Sequence, residues 1–204
     1  MRTLIVAAAL AGLASSNGIA AVDLSLNFSS LPSAQGWTYS SSGGAPETAV
    51  FSLGPGAVLR QDTLGIGSGR GANYQIHNLL ASDVNITLSF SARLLAEEGV
   101  PTDYGALSAG VGLGSLAYGI ALRPGEIRDI ENNLLSAAFD TSVFHTYSLS
   151  IQPGVAYSVS VDGSSIGLVL PASQSIANYI YFGDGSNLNA LGEYSGLTVS
   201  QVPE

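Results

Sequence analysis

One short segment concentrates carboxylates at a spacing that could support hydrolysis of a glycosidic bond. Glu126, Asp129 and Glu131 lie within six residues, and Arg128 lies between the first two. Retaining hydrolysis needs a nucleophile and a proton donor about 5–5.5 Å apart. On a regular strand Asp129 and Glu131 share a face, whereas Glu126 points the opposite way because side chains alternate. The segment therefore predicts either a candidate catalytic strand or a solvated polar turn, and the parity favours the turn.

A second segment is rich in oxygen ligands. Asp184, Ser186 and Asn187 lie beside Gly183 and Gly185. Calcium takes six to eight oxygens from carboxylates, amides and carbonyls, so Asp184 and Asn187 are candidate metal ligands. The same residues suit an Asx turn, in which the Asp184 carboxylate accepts hydrogen bonds from nearby backbone amides. The turn is the favoured interpretation, and the protein is expected either to lack a cofactor or to bind Ca²⁺.

Aromatic side chains provide a third kind of candidate site. Trp37, Tyr179 and Tyr181 could stack on sugar rings, since each combines a flat apolar face with a polar tip. Tyr179 and Tyr181 alternate with Ile180 and Phe182, so either one of these two pairs faces outward or both faces of the strand are covered. We expect Tyr179 and Tyr181 to lie on the less buried side.

Nucleophilic and metal chemistry have little support in the composition. The chain has no cysteine and two histidines, His77 and His145. The absence of cysteine excludes disulfides, cysteine-ligated zinc and thiol catalysis. No serine lies in a Gly-x-Ser-x-Gly elbow. His145 is expected to be structural and to bond a loop carbonyl near Asp140, and a joint metal site with His77 is disfavoured.

The charge balance limits the partners. All six basic residues are arginines against fifteen acids, and the net charge is −9. Such a chain lacks the counterion-release contribution that drives nucleic-acid binding. Charged residues make up only 10% of the chain while 46% is hydrophobic, which argues against disorder.

The first twenty residues are typical of a secretory signal peptide. Arg2 precedes the uncharged apolar run Leu4–Leu13, and Gly18 and Ala20 provide small residues for cleavage after Ala20. No later apolar run reaches about 18 residues, so no membrane span is expected in the mature chain. The organisation is therefore a signal peptide at 1–20, one domain at 21–200 and a Val-Pro-Glu tail at 201–204.

Period-two patterns predict an all-β fold. Asn85–Leu95 alternates apolar residues with Ser, Thr and Arg, and His145–Ile151 does the same. Val155–Val161 and Ile166–Leu170 follow after the turn sequences Gln152–Val155 and Asp162-Gly163. The predicted core comprises Ile86, Leu88, Phe90, Leu94, Tyr147, Leu149, Ile151, Val159 and Val161. Weaker strands are expected at Ala49–Leu53, Ala57–Gln61, Tyr74–His77, Leu107–Leu113, Leu116–Leu122, Asn178–Phe182 and Tyr194–Val202, with one short helix at Ile130–Ala138.

Several segments in this order resemble the laminin-G-like, concanavalin A-like jelly rolls of exported bacterial PEP-CTERM proteins. They are Leu31-Pro32, Gly36–Tyr39, Val58–Thr63, Phe139–Thr141, Phe144–Tyr147, Val161–Gly163 and Ile180–Gly185. The resemblance implies a two-sheet antiparallel jelly-roll sandwich. It also implies an exported protein, secreted or on a bacterial cell surface. The tail Val202-Pro203-Glu204 is similar to the start of the PEP-CTERM sorting motif, without the apolar span and arginines that follow in that family.

The same resemblance leaves three functions open. The leading interpretation is a non-catalytic module that binds extracellular glycan or matrix. A second is a glycoside hydrolase, because Glu126–Glu131 loosely resembles the catalytic strand of glycoside hydrolase family 16, where Glu-x-Asp-x-Glu places three carboxylates on one face. A third is a purely structural surface or biofilm protein with a smooth sheet face that is poor in aromatic residues.

Overall fold

A computed structural model describes residues 22–66, 71–99, 105–174 and 178–201. The predicted signal peptide, Gly67 and Gly69 of the glycine run, and the tail residues 202–204 lie outside the described residues. Gln201, which was assigned to the tail, is the last residue of a strand. No helix in the described ranges is long and apolar enough to cross a membrane.

Sixteen strands, a 3-10 helix at Pro32–Gln35 and a single-turn helix α1 at Glu47–Val50 make up the described fold. The strands are β1 Val22–Leu26, β2 Thr38–Ser41, β3 Phe51–Gly54, β4 Val58–Asp62, β5 Ala72–His77, β6 Ile86–Glu98, β7 Leu107–Leu113, β8 Leu116–Arg123, β9 Glu126–Asp129, β10 Leu134–Ala137, β11 His145–Gln152, β12 Ala156–Val161, β13 Ser164–Val169, β14 Ala172–Ser173, β15 Tyr179–Asp184 and β16 Asn189–Gln201.

The strands form two antiparallel sheets of eight. The first sheet has the order β13-β12-β11-β6-β16-β4-β3, and β1 pairs with β16. The second sheet has the order β10-β9-β8-β7-β15-β5-β2, and β14 pairs with the start of β8. The two sheets enclose one hydrophobic core. The architecture is therefore the predicted two-sheet jelly-roll sandwich.

The core follows the period-two parity of the sequence. Every residue of the predicted core is buried, and Leu88, Tyr147, Leu149 and Val159 are fully inaccessible. Ser89 pairs with Ser148 on the opposite face of the same strands, where the two hydroxyls are 2.8 Å apart. Burial of one face and hydration of the other hold the strand register, because a one-residue slip would exchange the two faces.

The turns between β11, β12 and β13 also agree with the sequence. The Val155 N–H donates to the Gln152 carbonyl at 3.1 Å, and Gly154 has a φ of 75°, as a type II turn requires. Asp162 and Gly163 have φ values of 48° and 79°. Two successive positive φ values match the hairpin turn that an Asp-Gly pair favours.

The helix predicted at Ile130–Ala138 is wrong. This segment forms the turn and return strand of the β9–β10 hairpin. The Asp129 carboxylate accepts hydrogen bonds from the backbone N–H groups of Glu131 and Asn133 and from the Asn133 amide. These bonds fix the turn, and the pairing of Leu134–Ala137 with β9 satisfies the backbone that a helix would have satisfied internally.

Two strand boundaries also differ from the prediction. The expected strand at Ala49–Leu53 begins only at Phe51, because α1 occupies Glu47–Val50. The last strand begins at Asn189 rather than Tyr194, since β16 pairs with nearly the whole length of β6. Partner strands distant in sequence decided this longer element.

Candidate functional site

Two tyrosines of β15 lie on the outer face of the second sheet. Ile180 and Phe182 are fully buried in the core, whereas Tyr179 is half-buried and Tyr181 is 8% exposed. The centroids of the two tyrosine rings are 5.7 Å apart. The prediction that Tyr179 and Tyr181 lie on the less buried side is confirmed.

The strands beneath the two rings are free of side chains at the points of contact. Tyr179 pairs with Gly112 of β7, and Tyr181 pairs with Gly110. A Cβ added at Gly110 would lie 2.7 Å from Tyr181 Cε1, and one at Gly119 of β8 would lie 2.8 Å from the Tyr181 hydroxyl. At Gly112 an added Cβ would overlap the Tyr179 ring. Because only glycine avoids these clashes, the rings can lie against the sheet.

These rings form part of the floor of a groove of about 360 Å³. We call it the tyrosine groove. It is lined by Asn73, Gln75, Ala117, Ile130, Glu131, Ala172, Ser173, Gln174, Tyr179, Tyr181 and Gly185. A concave surface that combines aromatic rings with a few polar groups is the general form of a small-molecule or oligosaccharide site.

Hydrogen bonds hold the polar wall of the tyrosine groove in place. Gln174 donates from Nε2 to the Leu116 carbonyl at 2.8 Å and accepts at Oε1 from the Tyr179 hydroxyl at 2.7 Å. On the other side, Gln75 Nε2 donates to Asn73 Oδ1 at 3.1 Å. Burial raises the pKa of Tyr179, so its hydroxyl remains a donor at neutral pH. The groove walls are thus ordered before any ligand arrives.

The three acidic candidates do not act together. Glu126 pairs with Arg128, with Oε2 2.7 Å from the guanidinium, and both lie on the opposite side of β9 from Ile127 and Asp129. Asp129 is 4% exposed and holds the β9–β10 turn. Pairing between β8 and β9 is regular, so Arg128 is not in a bulge. Glu131 lies past the end of the strand and lines the tyrosine groove.

The sequence prediction for Trp37 needs correction. Its side chain is 4% exposed and packs edge-on against Phe182, with ring centroids 5.2 Å apart. Trp37 belongs to the core because it lies between the 3-10 helix and β2, at the point where the chain joins the second sheet. Its ring therefore cannot stack on a ligand.

The oxygen-rich segment forms the Asx turn that the sequence favoured. Asp184 is fully buried, and its Oδ1 accepts from the Ser186 N–H at 3.0 Å and the Ser186 hydroxyl at 3.1 Å. Its Oδ2 accepts from the Thr63 hydroxyl at 2.8 Å, which links β15 to the segment that follows β4. Asn187 is exposed. Calcium binding by Asp184 and Asn187 stays the alternative that the sequence disfavours.

A thermal melt tests the calcium prediction. We expect the same melting temperature in EDTA and in millimolar Ca²⁺, because protein donors already occupy both Asp184 carboxylate oxygens. Binding would instead stabilise the fold by about 2.7 kcal/mol at one hundred times the Kd. A clear rise in Tm with Ca²⁺, absent with Mg²⁺, would contradict the expected result.

His145 has the structural role that the sequence suggested. Its Nε2 lies 3.0 Å from the Asp140 carbonyl oxygen, and its Nδ1 lies 2.6 Å from Asp162 Oδ2. His77 is on the second sheet, near Tyr179, and His145 is on the first. The described residues contain no group of three or more His, Cys, Asp or Glu that could hold a metal ion.

Sequence reasoning missed the glycines and Gln174, although a signal for the glycines was present. In β7 and β8 the apolar residues alternate with small ones, so that Ser108, Gly110, Gly112, Ala117, Gly119 and Ala121 share the outer face. A strand face made only of small residues indicates close approach by something above it. Gln174 lies at the end of β14, where no local pattern predicts a groove wall.

Comparisons with known proteins agree with this architecture. No protein-family model matches the chain, and no curated protein does. A β-glucanase of Bacillus licheniformis is 10% identical with a TM-score of 0.54, covering 89% of this chain and 98% of the enzyme. A carbohydrate esterase of the Shiga toxin-encoding bacteriophage phi24B is 13% identical with a TM-score of 0.53, covering 81% and 90%.

A sialidase is 14% identical with a TM-score of 0.58, covering 87% of this chain but 18% of the sialidase. Likewise the chain spans 42% of the binding domain of Paraclostridial Mosquitocidal Protein 1. Identities this low show a shared fold alone, because one fold carries many functions. The chain therefore shares a concanavalin-like jelly-roll fold with the glucanase and the sialidase.

Proposed function

We propose that this jelly roll is an exported, non-catalytic module that binds an extracellular glycan or matrix polymer in the tyrosine groove. One observation carries the proposal. Tyr179 and Tyr181 lie against a glycine floor on the outer face of the second sheet, with ordered amide groups beside them. The Tyr179 ring, which is partly exposed, is fixed in this way and presents apolar area without losing side-chain freedom on binding, while the buried Tyr181 ring packs beside it. The adjacent amides supply the donors and acceptors that sugar hydroxyls require.

Among the described residues, the groove lining does not include the paired carboxylates that retaining or inverting hydrolysis needs. Glu131 is the one carboxylate among the described residues that line the tyrosine groove. Asp129 is engaged in the turn, and Glu126, on the outer face of β9, is held in an ion pair with Arg128 and does not line the groove. Glu131 alone would have to act as both acid and base, so a binding role fits the site better.

A structural role is the second candidate, and the first sheet favours it. Its outer face is lined by hydroxyl side chains on β1, β6, β11, β12 and β16: Ser25, Thr87, Ser89, Ser91, Thr146, Ser148, Ser150, Ser158, Ser160, Thr198 and Ser200. This array contains no aromatic ring. An aromatic-poor face is expected of a surface or matrix protein, although this one holds a concavity of about 320 Å³ lined by Ser25, Ser89 and Thr198. It lies on the opposite side of the sandwich from the tyrosine groove.

Binding of immobilised glycans tests the proposed function. Reducing-end-biotinylated lichenan, laminarin, galactomannan and starch are placed on biolayer sensors. We expect the protein to bind at least one of them, and Tyr179→Ala to weaken that binding at least tenfold, or about 1.4 kcal/mol. Tyr179→Phe keeps the ring and loses only the hydroxyl that bonds Gln174, so it should retain most of the affinity.

Phe144→Ala is the matched control, because Phe144 is a half-buried aromatic residue outside the groove that contacts Arg93. Its affinity should equal that of the unmodified protein. No binding to any of the four polymers, or equal losses in Tyr179→Ala and Phe144→Ala, would contradict the proposal. Release of reducing ends from lichenan or laminarin that disappears in Glu131→Gln would support a hydrolase instead.

A further inference from the structure

We infer that the tyrosine groove selects uncharged glycans over anionic ones, and that Glu131 sets this preference. The inference rests on the proposed function and adds the chemical class of the ligand. It comes from the distribution of charged groups around the groove.

Glu131 is the only charged side chain among the described residues that line the groove. It is exposed, and no hydrogen bond or ion pair to its carboxylate is present within the described ranges. Asn73, Gln75, Gln174 and Ser173 supply uncharged polar groups to the same walls. A ligand in contact with these groups meets one negative charge.

Three of the four arginines in the described ranges are held in ion pairs with acids. Arg123 of β8 in the second sheet pairs with Glu97 of β6 in the first sheet at 3.0 Å, and Arg128 pairs with Glu126 within the second sheet at 2.7 Å. Arg93 pairs with Glu193 at 2.7 Å in the first sheet. Arg60 lies on β4 of the first sheet, and Arg2 and Arg70 lie outside the described residues. The chain has no lysine.

Charge repulsion and hydrogen bonding therefore both favour an uncharged sugar over an anionic one. A sugar carboxylate or sulfate would be repelled by Glu131 at short range, and more strongly where water is excluded. The net charge of −9 adds a longer-range repulsion, screened beyond about 8 Å at physiological salt. An uncharged sugar instead donates hydroxyl hydrogen bonds to the carboxylate, and such charge-assisted bonds are stronger than neutral ones.

Polymer pairs that share a backbone and differ in charge test the inference. The pairs are hydroxyethyl cellulose with carboxymethyl cellulose, galactomannan with carboxymethyl galactomannan, and starch with carboxymethyl starch, all biotinylated at the reducing end and measured in 0.15 M NaCl. For each backbone that is bound, we expect at least tenfold tighter binding to the uncharged member. Glu131→Gln should reduce this ratio at least threefold.

Asp23→Asn is the charge-matched control. Asp23 is exposed on β1 of the first sheet, so this change removes one negative charge far from the groove. Its ratio should stay within twofold of the unmodified protein. Equal binding to both members of a pair would overturn the selectivity. Equal changes of the affinity ratio in Glu131→Gln and Asp23→Asn would overturn the role of Glu131. Failure to bind any of the six polymers, together with failure to bind lichenan and laminarin, would overturn the proposed function, and the selectivity with it.

Discussion

Replacing Phe90 with alanine is expected to lower the free energy of unfolding by about 3–5 kcal/mol. Phe90 is 2% exposed and stacks on Tyr147 of the neighbouring strand, with ring centroids 5.2 Å apart and planes at 24°. It also pairs with Leu197 of β16, so it contacts two strands in the centre of the first sheet. The substitution would leave a cavity between both sheets, and close packing prevents neighbours from filling it. A loss of this size is a large part of the stability of an ordinary domain.

Ser89→Ala is the matched control on the adjacent residue of the same strand. Ser89 faces outward and loses only its hydrogen bond to the Ser148 hydroxyl, which contributes about 0.5–1.5 kcal/mol. Urea unfolding of both variants gives the comparison through their midpoints. Equal midpoints, or a larger loss for Ser89→Ala, would show that the register of β6 is wrong.

The second large effect is expected for Asp184→Ala, which should lower the free energy of unfolding by about 2–4 kcal/mol. The buried carboxylate joins Thr63, 121 residues earlier in the chain, to the turn at Ser186. Thr63 in turn accepts from the Ala190 N–H at 2.7 Å, so the network connects β15, β16 and the end of β4. Removing the acceptor leaves the buried Ser186 N–H without its partner and the Thr63 hydroxyl with only the longer bond to the Ala190 carbonyl at 3.2 Å, and the buried site does not admit water to replace the lost bonds.

Asp140→Ala separates the buried network from the local turn. Asp140 makes the same Asx turn, accepting at Oδ1 from the Ser142 N–H at 3.0 Å and the Ser142 hydroxyl at 2.6 Å, but it is exposed. Water can replace these bonds, so we expect a much smaller change in the urea midpoint. If the two alanine variants lost equal stability, the contribution would come from the turn and not from the link to Thr63.

The two outer faces of the jelly roll differ: one carries the tyrosine groove, and the other carries a regular array of hydroxyl side chains. The second sheet has glycines where Tyr179 and Tyr181 cross it, and the groove formed there has ordered polar walls. The outer face of the first sheet carries hydroxyl side chains that lie opposite one another on five neighbouring strands. This asymmetry between the two faces explains why a binding role and a structural role both have support in the same chain.

The sequence alone determined the strands that carry their own signals. Alternation from Ile86 to Leu94 and from Tyr147 to Ile151 predicted the correct buried faces, and Pro153-Gly154 and Asp162-Gly163 predicted the turns between neighbours. These features are local, because side-chain alternation and turn conformation depend on a few adjacent residues. The same alternation along β15 predicted that Tyr179 and Tyr181 lie on the face opposite Ile180 and Phe182.

Only the tertiary structure decided what those tyrosines cover and what the acidic residues do. Gly110 and Gly112 lie about seventy residues before Tyr181 in the sequence and become its neighbours through β7–β15 pairing. The hairpin turn engages Asp129, whereas its neighbour Glu131 lines the groove. Trp37 is buried because β2 joins the second sheet beside β5. Strand pairing between distant segments depends on the global burial of both faces, and no short stretch of sequence contains that information.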